Sequence, residues 1–555
     1  MTVKRKYYRV LLLAAVSLLL LGVSVRSEKQ AVQMALSDDV ISSLDSSFCE
    51  GDLVLDFTCT GEYPVYYTLD GSIPTLDSNF YEGPLTLACS DEVQSVVVRA
   101  CTYDENAGVW GDLFTRTYFY ARDMETIHKR FDTYIVCVTS DPYNLYDHEY
   151  GIMTEGKIRE EYMNSPNYDP KFLLQPANYT QRGIEWERDA HLEILTADGE
   201  HVIDQDVGLR IFGNASRQSY RKSMKFYARE EYGDDTFSYP LFPENRSVKS
   251  GEVQPEYRRL IIRNHANDRS VTLFREELFQ RLCSQIEGID SKCVAPAAVY
   301  LNGEYYNFEW LQEVYDDLYM EDNYGVSGSE YYETATVWLH EGEVSTEKEL
   351  RAQAAYEELQ EYAKQDMTDD RVFAEFSKIM DIDNMLQHYA VQCYIANWDW
   401  AHNRKLYRYT DSVLSGETDR QDGRWRFLYY DMEVGFNIYN EPEEEWTTIV
   451  SMLEEDELLE AVLQRDDMQK KFVSYLGLCM NEYFTMERVR SVITELQNER
   501  DHELLENIIY KSAREEGYTL TMESIASNID IIYEFVEKRP DIIRKEVKEL
   551  FGISM

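Results

Sequence analysis

The sequence predicts a multidomain chain, in which a small all-β sandwich precedes a two-lobed α+β body whose C-terminal lobe is helical. Three observations carry this. The chain has 555 residues, well beyond the roughly 250–300 at which a single hydrophobic core stops growing. Residues 41–122 read as short strands at about ten-residue spacing, with no helical period between them. From about residue 345 onward helical periodicity dominates, after a mixed, strand-rich stretch over 130–340.

The N-terminus, "MTVKRKYYRVLLLAAVSLLLLGVSVRS", places four basic residues before an uncharged apolar run from Val10 to Val25. A basic start and an apolar core of this length read as a secretory signal over residues 1–28. The run is marginal for a membrane span, which needs about 20 residues, so cleaved signal and uncleaved anchor both stand. Either way the folded part is expected to be exported or surface-exposed, meeting a membrane only through this segment.

Within 41–122, "GDLVLDFTC" alternates apolar and polar residues, and "YPVYYTLDGSIPT" is a strand running into an Asp-Gly turn. "VQSVVVRACTY" and "LFTRTYFYA" are further strands. The next region, 130–340, supplies "TYIVCVTS", "DAHLEILTA", "DVGLRIFG", "SMKFYARE", "YRRLIIRN" and "CVAPAAVYLNGEYYNFEWLQEV" as strands. One amphipathic helix, "SVTLFREELFQRLCSQ", lies among them, with Asp268 and Ser270 as candidate caps. Long helical patterns follow, ending in "SIASNIDIIYEFVEKRPDIIRKEVKELF".

Composition narrows the function classes. Hydrophobic residues make up 44% of the chain, as in a globular protein, and the formal net charge is −47. So acidic a surface repels nucleic acid and anionic lipid as general partners. The nine cysteines show neither CxxC nor Cys/His zinc spacing. Their number is odd, and one or two disulfides within the group from Cys49 to Cys101 remain open.

The chemistry converges at "NWDWAHNRKLYRYTDSVLSGETDRQDGRWRFLYYDMEVGFN", residues 397–437. "RKLYRYT" and "RWRFLYY" are strand-like, with a polar, Gly-containing loop between them. In an antiparallel hairpin the start of the first strand lies beside the end of the second. Asp399 and Asn403 precede the first strand; Asp431 and Glu433 follow the second. Four oxygen-bearing side chains are therefore expected at one ribbon end, which suits a hard cation such as Mg²⁺. The other reading is a solvated acidic rim. The order also echoes protein-kinase logic, in which an Asp and an Asn precede a hairpin and a metal-binding Asp follows it. Cations for phosphate come from "DVGLRIFGNASRQSYRKSMKFYARE", where Arg210, Ser216, Arg217 and Lys222 surround a Gly/Ser turn. This is not a GxxxxGK[ST] loop. His388 reads as a packing residue of a helix, and His402 has no second histidine at metal spacing.

Two resemblances follow from these stretches. Tyr67-Thr68-Leu69-Asp70-Gly71, Pro74-Thr75 and Tyr81-x-Gly83-Pro84 resemble the chitobiase/β-hexosaminidase C-terminal-type module over 41–122. That likeness implies an immunoglobulin-like sandwich acting as a spacer or making weak carbohydrate contact. Residues 130–550 resemble the spore-coat protein H (CotH) kinase family. The matching stretches are "VGLRIFGNASRQSYRKSMKF", "LFREEL" with Arg275, "VYLNGEYYNFEWLQEVYDD", "NWDWAHNRKLY" and "FLYYDMEVGFN".

The second resemblance implies an atypical, kinase-like fold that binds ATP and Mg²⁺ (or Mn²⁺) and phosphorylates serine on exported or surface proteins. It gives Asp399 the catalytic-loop aspartate's place and Asp431 the metal-binding aspartate's, with Asn403 and Glu433 as further ligands. Arg210, Ser216, Arg217 and Lys222 fall on the phosphate side, and Glu313 ends the strand-pair motif. Four positions depart from the family pattern. Tyr430 stands for Trp and Glu433 for Asp in W-D-x-D, Asn307 for Gly in NGEY-x-G, and Ala215 for the first Ser of Ser-Ser-Arg. The alternative is an inactive surface scaffold or adhesion protein built on a pseudokinase body. A sugar-active hydrolase ranks last, since no paired-carboxylate motif exists beyond the hairpin acids.

Overall fold

The computed structural model describes residues 40–555 apart from 60, 62, 173, 248–249, 326–328, 334–346, 410–418 and 515–519. The N-terminal segment read as a secretory signal and most of the loop inside the 404–430 hairpin lie outside the described residues.

Alternation and turn chemistry build the sandwich as the sequence anticipates. A six-stranded sheet contains Phe48–Glu50, Phe114–Ala121, Gln94–Asp104, Val65–Thr68 and Asn79–Phe80 in that spatial order, with Val109–Trp110 hairpinned onto Gln94–Asp104. A Leu53–Leu55/Leu85–Leu87 pair lies across from it. Leu53 and Leu55 meet Val65, Val98, Ala100 and Tyr118 in one core. All nine cysteines are free, so the disulfide option is not taken up.

The strand-rich region closes on itself. Strands β1 (Tyr134–Thr139), β2 (Arg188–Leu195), β3 (His201–Ile211), β4 (Met224–Tyr227), β5 (Arg259–Arg263), β6 (Val294–Leu301) and β7 (Glu304–Glu313) form a barrel ordered β1-β2-β3-β4-β5-β7-β6. Neighbours are antiparallel except at the closure, where β6 pairs with β1 in parallel. Alternate residues fill the interior, among them Val136, Leu192, Leu209, Ile262 and Val299. The opposite faces of β1 and β6, through Ile135, Cys137, Ala298 and Tyr300, pack on Phe48 and Phe119 of the sandwich.

The sandwich is therefore a docked module rather than a loose spacer. Thr117 donates its backbone N–H to the fully buried Glu193 carboxylate at 2.9 Å, and Arg116 reaches Asp204 at 2.9 Å. The Asp-Gly turn read from the sequence meets the turn between β6 and β7 here. A Cβ on Gly71 of the Asp-Gly turn would fall 2.4 Å from the Asn302 side chain. One on Gly303 would fall 2.5 Å from the Val97 nitrogen. Only glycine permits both approaches, and both glycines have positive φ.

Four helices position the site. Short α1 (Met124–Arg130) joins sandwich to barrel. Helix α2 (Arg275–Cys283) is buried along almost its whole length between the barrel and the helical region. Helix α3 (Ile382–Tyr394) is buried throughout and capped by Asp381, and α4 (Met486–Arg514) packs on α2. His388, on α3, stacks on Phe427 at 4.4 Å, and burial pulls its pKa down to about 3, so it is a neutral packing residue. A three-stranded sheet of β8 (Ser329–Glu333), β9 (Lys405–Tyr409) and β10 (Arg426–Leu428) completes the frame. Lys405 lies opposite Leu428, so the start of β9 does lie beside the end of β10. No described helix is long and apolar enough to cross a membrane.

Candidate active site

The loop between α3 and β9 is set by buried amides. Asn397, fully buried, accepts the Asp399 N–H at 3.1 Å and donates to Gln392 at 2.9 Å. Asn403 donates its side-chain N–H to Asp399 Oδ2 at 2.7 Å, so a residue expected as a metal ligand instead orients the one expected to be catalytic. Burial, then the charge of Asp431, pushes the Asp399 carboxyl up to about 6.

On the other side of the ribbon, the chain leaves β10 through Tyr429 and Tyr430 and turns at Asp431, whose φ is +53°. The turn is held from α2. The N–H groups of Asp431 and Met432 donate to the Glu276 carboxylate at 3.2 and 2.7 Å. Arg275, fully buried, donates to the Gly435 and Phe436 carbonyls. Asp268 accepts the N–H groups of Phe274 and Arg275 at 2.7 and 2.8 Å from the preceding turn, but the helix starts later than the sequence suggests, with Phe274 rather than Asp268 or Ser270 at its N-cap position. Of nine non-glycine residues with positive φ among the described residues, eight lie within 265–273, at 396 or within 431–440. Each costs of order 1–3 kcal/mol and persists only where its surroundings hold it. Backbone strain thus gathers around the acids.

The cations facing these acids come from residues that the sequence reading did not select. Arg263, the last residue of β5, places Nη2 at 2.5 Å from Asp431 and 2.7 Å from Glu433. Its Nη1 lies 3.9 Å from Glu276. Lys292 is buried at 3.7 Å from Glu276, and burial lowers its pKa to about 8. Lys405 sits over the Tyr430 ring at 4.0 Å. Glu433 is also fixed by Asn267, whose backbone and side-chain N–H groups both donate to Oε1. Three carboxylates (Asp431, Glu433, Glu276) therefore face Arg263 and Lys292, and the charge of Lys405 also acts on Asp431. Burial drives the pKa values of Asp431 and Glu433 upward against the pull of Arg263, and nearby carboxylates add to it, Glu276 for Asp431 and Asp431 for Glu433.

The residues placed on the phosphate side are otherwise engaged. Arg210 pairs with Glu187 at 2.7 Å. Arg217 donates to the carbonyls of Gly213, Tyr179 and Gln181. Lys222 donates to the carbonyls of Arg217 and Ser219, and burial lowers its pKa to about 8. Ser216 packs on Gly213 and offers its carbonyl to Asn264, the neighbour of Arg263, which also bonds Arg221 O. The loop therefore abuts the acidic site, while its long cations brace its own backbone. Glu313 accepts from the side-chain amides of Asn245 and Asn323 and the N–H of Cys293, and burial raises its pKa to about 7. Of the predicted residues, the structure brings together Asp399, Asn403, Asp431 and Glu433, and does not bring Arg210, Lys222 or Glu313 into contact with them.

Two of the departures have local partners. Asn307 accepts from Asn507 of α4 at 2.7 Å and donates to Glu309, a link that glycine could not make. Tyr430 supplies the aromatic face under Lys405. Among the described residues no group of three or more His, Cys, Asp or Glu side chains is already gathered to hold a metal ion. The donor set nonetheless fits a hard cation: carboxylate oxygen ligands and a buried Glu433 Oε2 that accepts no hydrogen bond.

A family model described as CotH kinase protein matches residues 209–543, and a second, described as Fn3 associated, matches residues 54–118. No curated protein matches the chain.

Proposed function

The chain belongs to the CotH kinase protein family, and on that premise we propose that it is an exported, metal-dependent protein kinase that transfers the ATP γ-phosphate to serine hydroxyls of secreted or surface proteins. The observation that carries this reading is the ribbon end at which Asp399 with Asn403 faces Asp431 with Glu433, beneath Arg263 and Lys292.

Asp431, with Glu433, would hold a divalent ion, which when bound neutralises phosphate oxygens and fixes them for in-line transfer. The remaining work falls to side chains. Asp399 orients the substrate hydroxyl and accepts its proton, and a carboxyl near 6 is closer to the task than an ordinary aspartate. Asn403 holds that carboxylate in one rotamer. Lys292 and Lys405 lend positive charge beside Asp431. A cavity of about 560 Å³ next to the loop, lined by Tyr356, Gln360, Trp398, Ala401 and His402, has room for a substrate side chain. Manganese is an acceptable substitute for magnesium at such an oxygen site.

The test is label transfer. The purified protein is incubated with γ-labelled ATP and Mg²⁺ or Mn²⁺, beside Asp431→Ala. Transfer that disappears in the variant supports a kinase. Absence of nucleotide binding by either protein favours the second reading, a scaffold on a pseudokinase body. One feature speaks for that alternative: Arg217 and Lys222 are already engaged by loop carbonyls.

A further inference from the structure

We propose that Arg263 is an internal counter-ion seated where the divalent cation binds, so that metal arrival and release of its guanidinium from Asp431 and Glu433 are one event, after which its donors serve the anionic ligand. The inference rests on the metal-dependent reading above.

Four observations converge on it. A single nitrogen, Nη2 of Arg263, touches both Asp431 and Glu433, the two acids best placed to share an ion. Glu433 is half-committed: Oε1 is fixed by both Asn267 donors, while Oε2 is buried without a hydrogen bond and has only the charge of Arg263 beside it. The other terminal nitrogen of Arg263, Nη1, is buried with no hydrogen-bond partner. A guanidinium in place for purely structural reasons is expected to use its donors when buried. Nη1 of Arg263 instead meets the charge of Glu276 at 3.9 Å. Finally, Asn264 ties the adjacent backbone to the carbonyls of Ser216 and Arg221. Arg263 therefore lies one residue from the tie that holds the polar loop 213–223.

Charge balance gives the exchange its direction. Replacing the guanidinium with a divalent ion removes one charge and adds two. The displaced Arg263 then lies beside whatever anion the metal brings. The Asp431 side chain is 27% exposed and that of Glu433 2%, so Asp431 is the acid open to solvent and Glu433 the one closed off from it.

The experiment measures binding without turnover. Nucleotide-free full chain is titrated with Mn²⁺ alone, with free Mn²⁺ read by electron paramagnetic resonance, for wild type, Arg263→Met and Arg263→Lys. Loss of the internal competitor is expected to tighten Mn²⁺ binding of Arg263→Met about tenfold or more, with Arg263→Lys between. ATP binding at saturating Mn²⁺ is expected to weaken by a similar factor in Arg263→Met. Unchanged or weaker Mn²⁺ binding by a folded Arg263→Met overturns the inference and leaves the kinase reading intact. Failure of all three proteins to bind Mn²⁺ overturns both. Should the variants not fold, the wild type decides. Mn²⁺ alone is expected to speed modification of Arg263 by an arginine-specific dicarbonyl reagent, read by peptide mass spectrometry, and added ATP to slow it. An unchanged rate with bound Mn²⁺ overturns the proposal.

Discussion

The Glu276 carboxylate accepts the backbone N–H of Met432 at 2.7 Å, and by that bond the first turn of α2 fixes the loop that carries both Asp431 and Glu433. The same carboxylate takes the Asp431 N–H and faces Arg263 and Lys292, so it organises backbone and charge together. Removing it leaves two donors and two cations under-compensated in a buried site. Glu276→Ala is expected to destabilise the protein by roughly 3–5 kcal/mol, read from the urea midpoint. Glu276→Gln keeps an acceptor for Met432, and its effect is expected to be the smaller of the two. Equal losses would show that only the charge matters.

Asp399 and Asp431 are expected to fail in different ways. Asp399→Asn removes the proton acceptor but keeps a side chain of the same shape, so label transfer should fall by about 10²–10⁴-fold while ATP binding persists. Asp431→Asn should weaken metal-dependent ATP binding itself. Filter binding beside label transfer separates the two. Loss of ATP binding in Asp399→Asn would contradict the assigned role.

Gly435 is a packing requirement rather than a hinge, since its φ is not positive. A Cβ there would lie 2.7 Å from Phe279 Cζ and 3.1 Å from the Ile395 side chain. Gly435→Ala should therefore destabilise the protein by about 1–3 kcal/mol through overpacking. Phe279→Leu in the same chain should recover part of the loss, seen as a partial return of the melting temperature.

His191 gives the barrel a pH dependence near the sandwich contact. Its ring nitrogens lie 2.8 Å from Asp206 and 2.9 Å from Asp204, and Asp204 also holds Arg116 of the sandwich. Burial pulls the imidazolium down, but the carboxylates of Asp204 and Asp206 prevail and raise its pKa to about 9. A histidine whose folded pKa is raised contributes stability that is full below its unfolded value near 6.5 and fades as pH rises through about 9. Wild type should exceed His191→Gln by about 2 kcal/mol at pH 6.5, a gap that closes by pH 9.5. A gap that stays constant over that range would show that the imidazole does not titrate there.

Turns and alternation made much of the architecture legible. The Asp70-Gly71 turn, the strands of the sandwich and the hairpin that sets the start of β9 beside the end of β10 all follow from local pattern. The barrel's closure was not legible, because the parallel β1–β6 pairing joins strands some 160 positions apart, and nothing in either strand names the other. The engagement of the phosphate-side residues was not legible for a related reason. "RQSYRK" shows cations but not that loop carbonyls would bind them.

The sequence by itself determined that acids cluster at one ribbon end of a strongly acidic chain, since two short strands and a polar loop leave their flanks nowhere else to meet. Tertiary structure alone chose the cations opposite them. In "YRRLIIRN", Arg259 and Arg263 share a face by the two-residue period, yet one meets Asp316 and the other Asp431 and Glu433. Which acid a strand-end arginine finds depends on how the barrel and α2 pack, because ion pairing is decided by distance and exclusion of water, not by position along the chain.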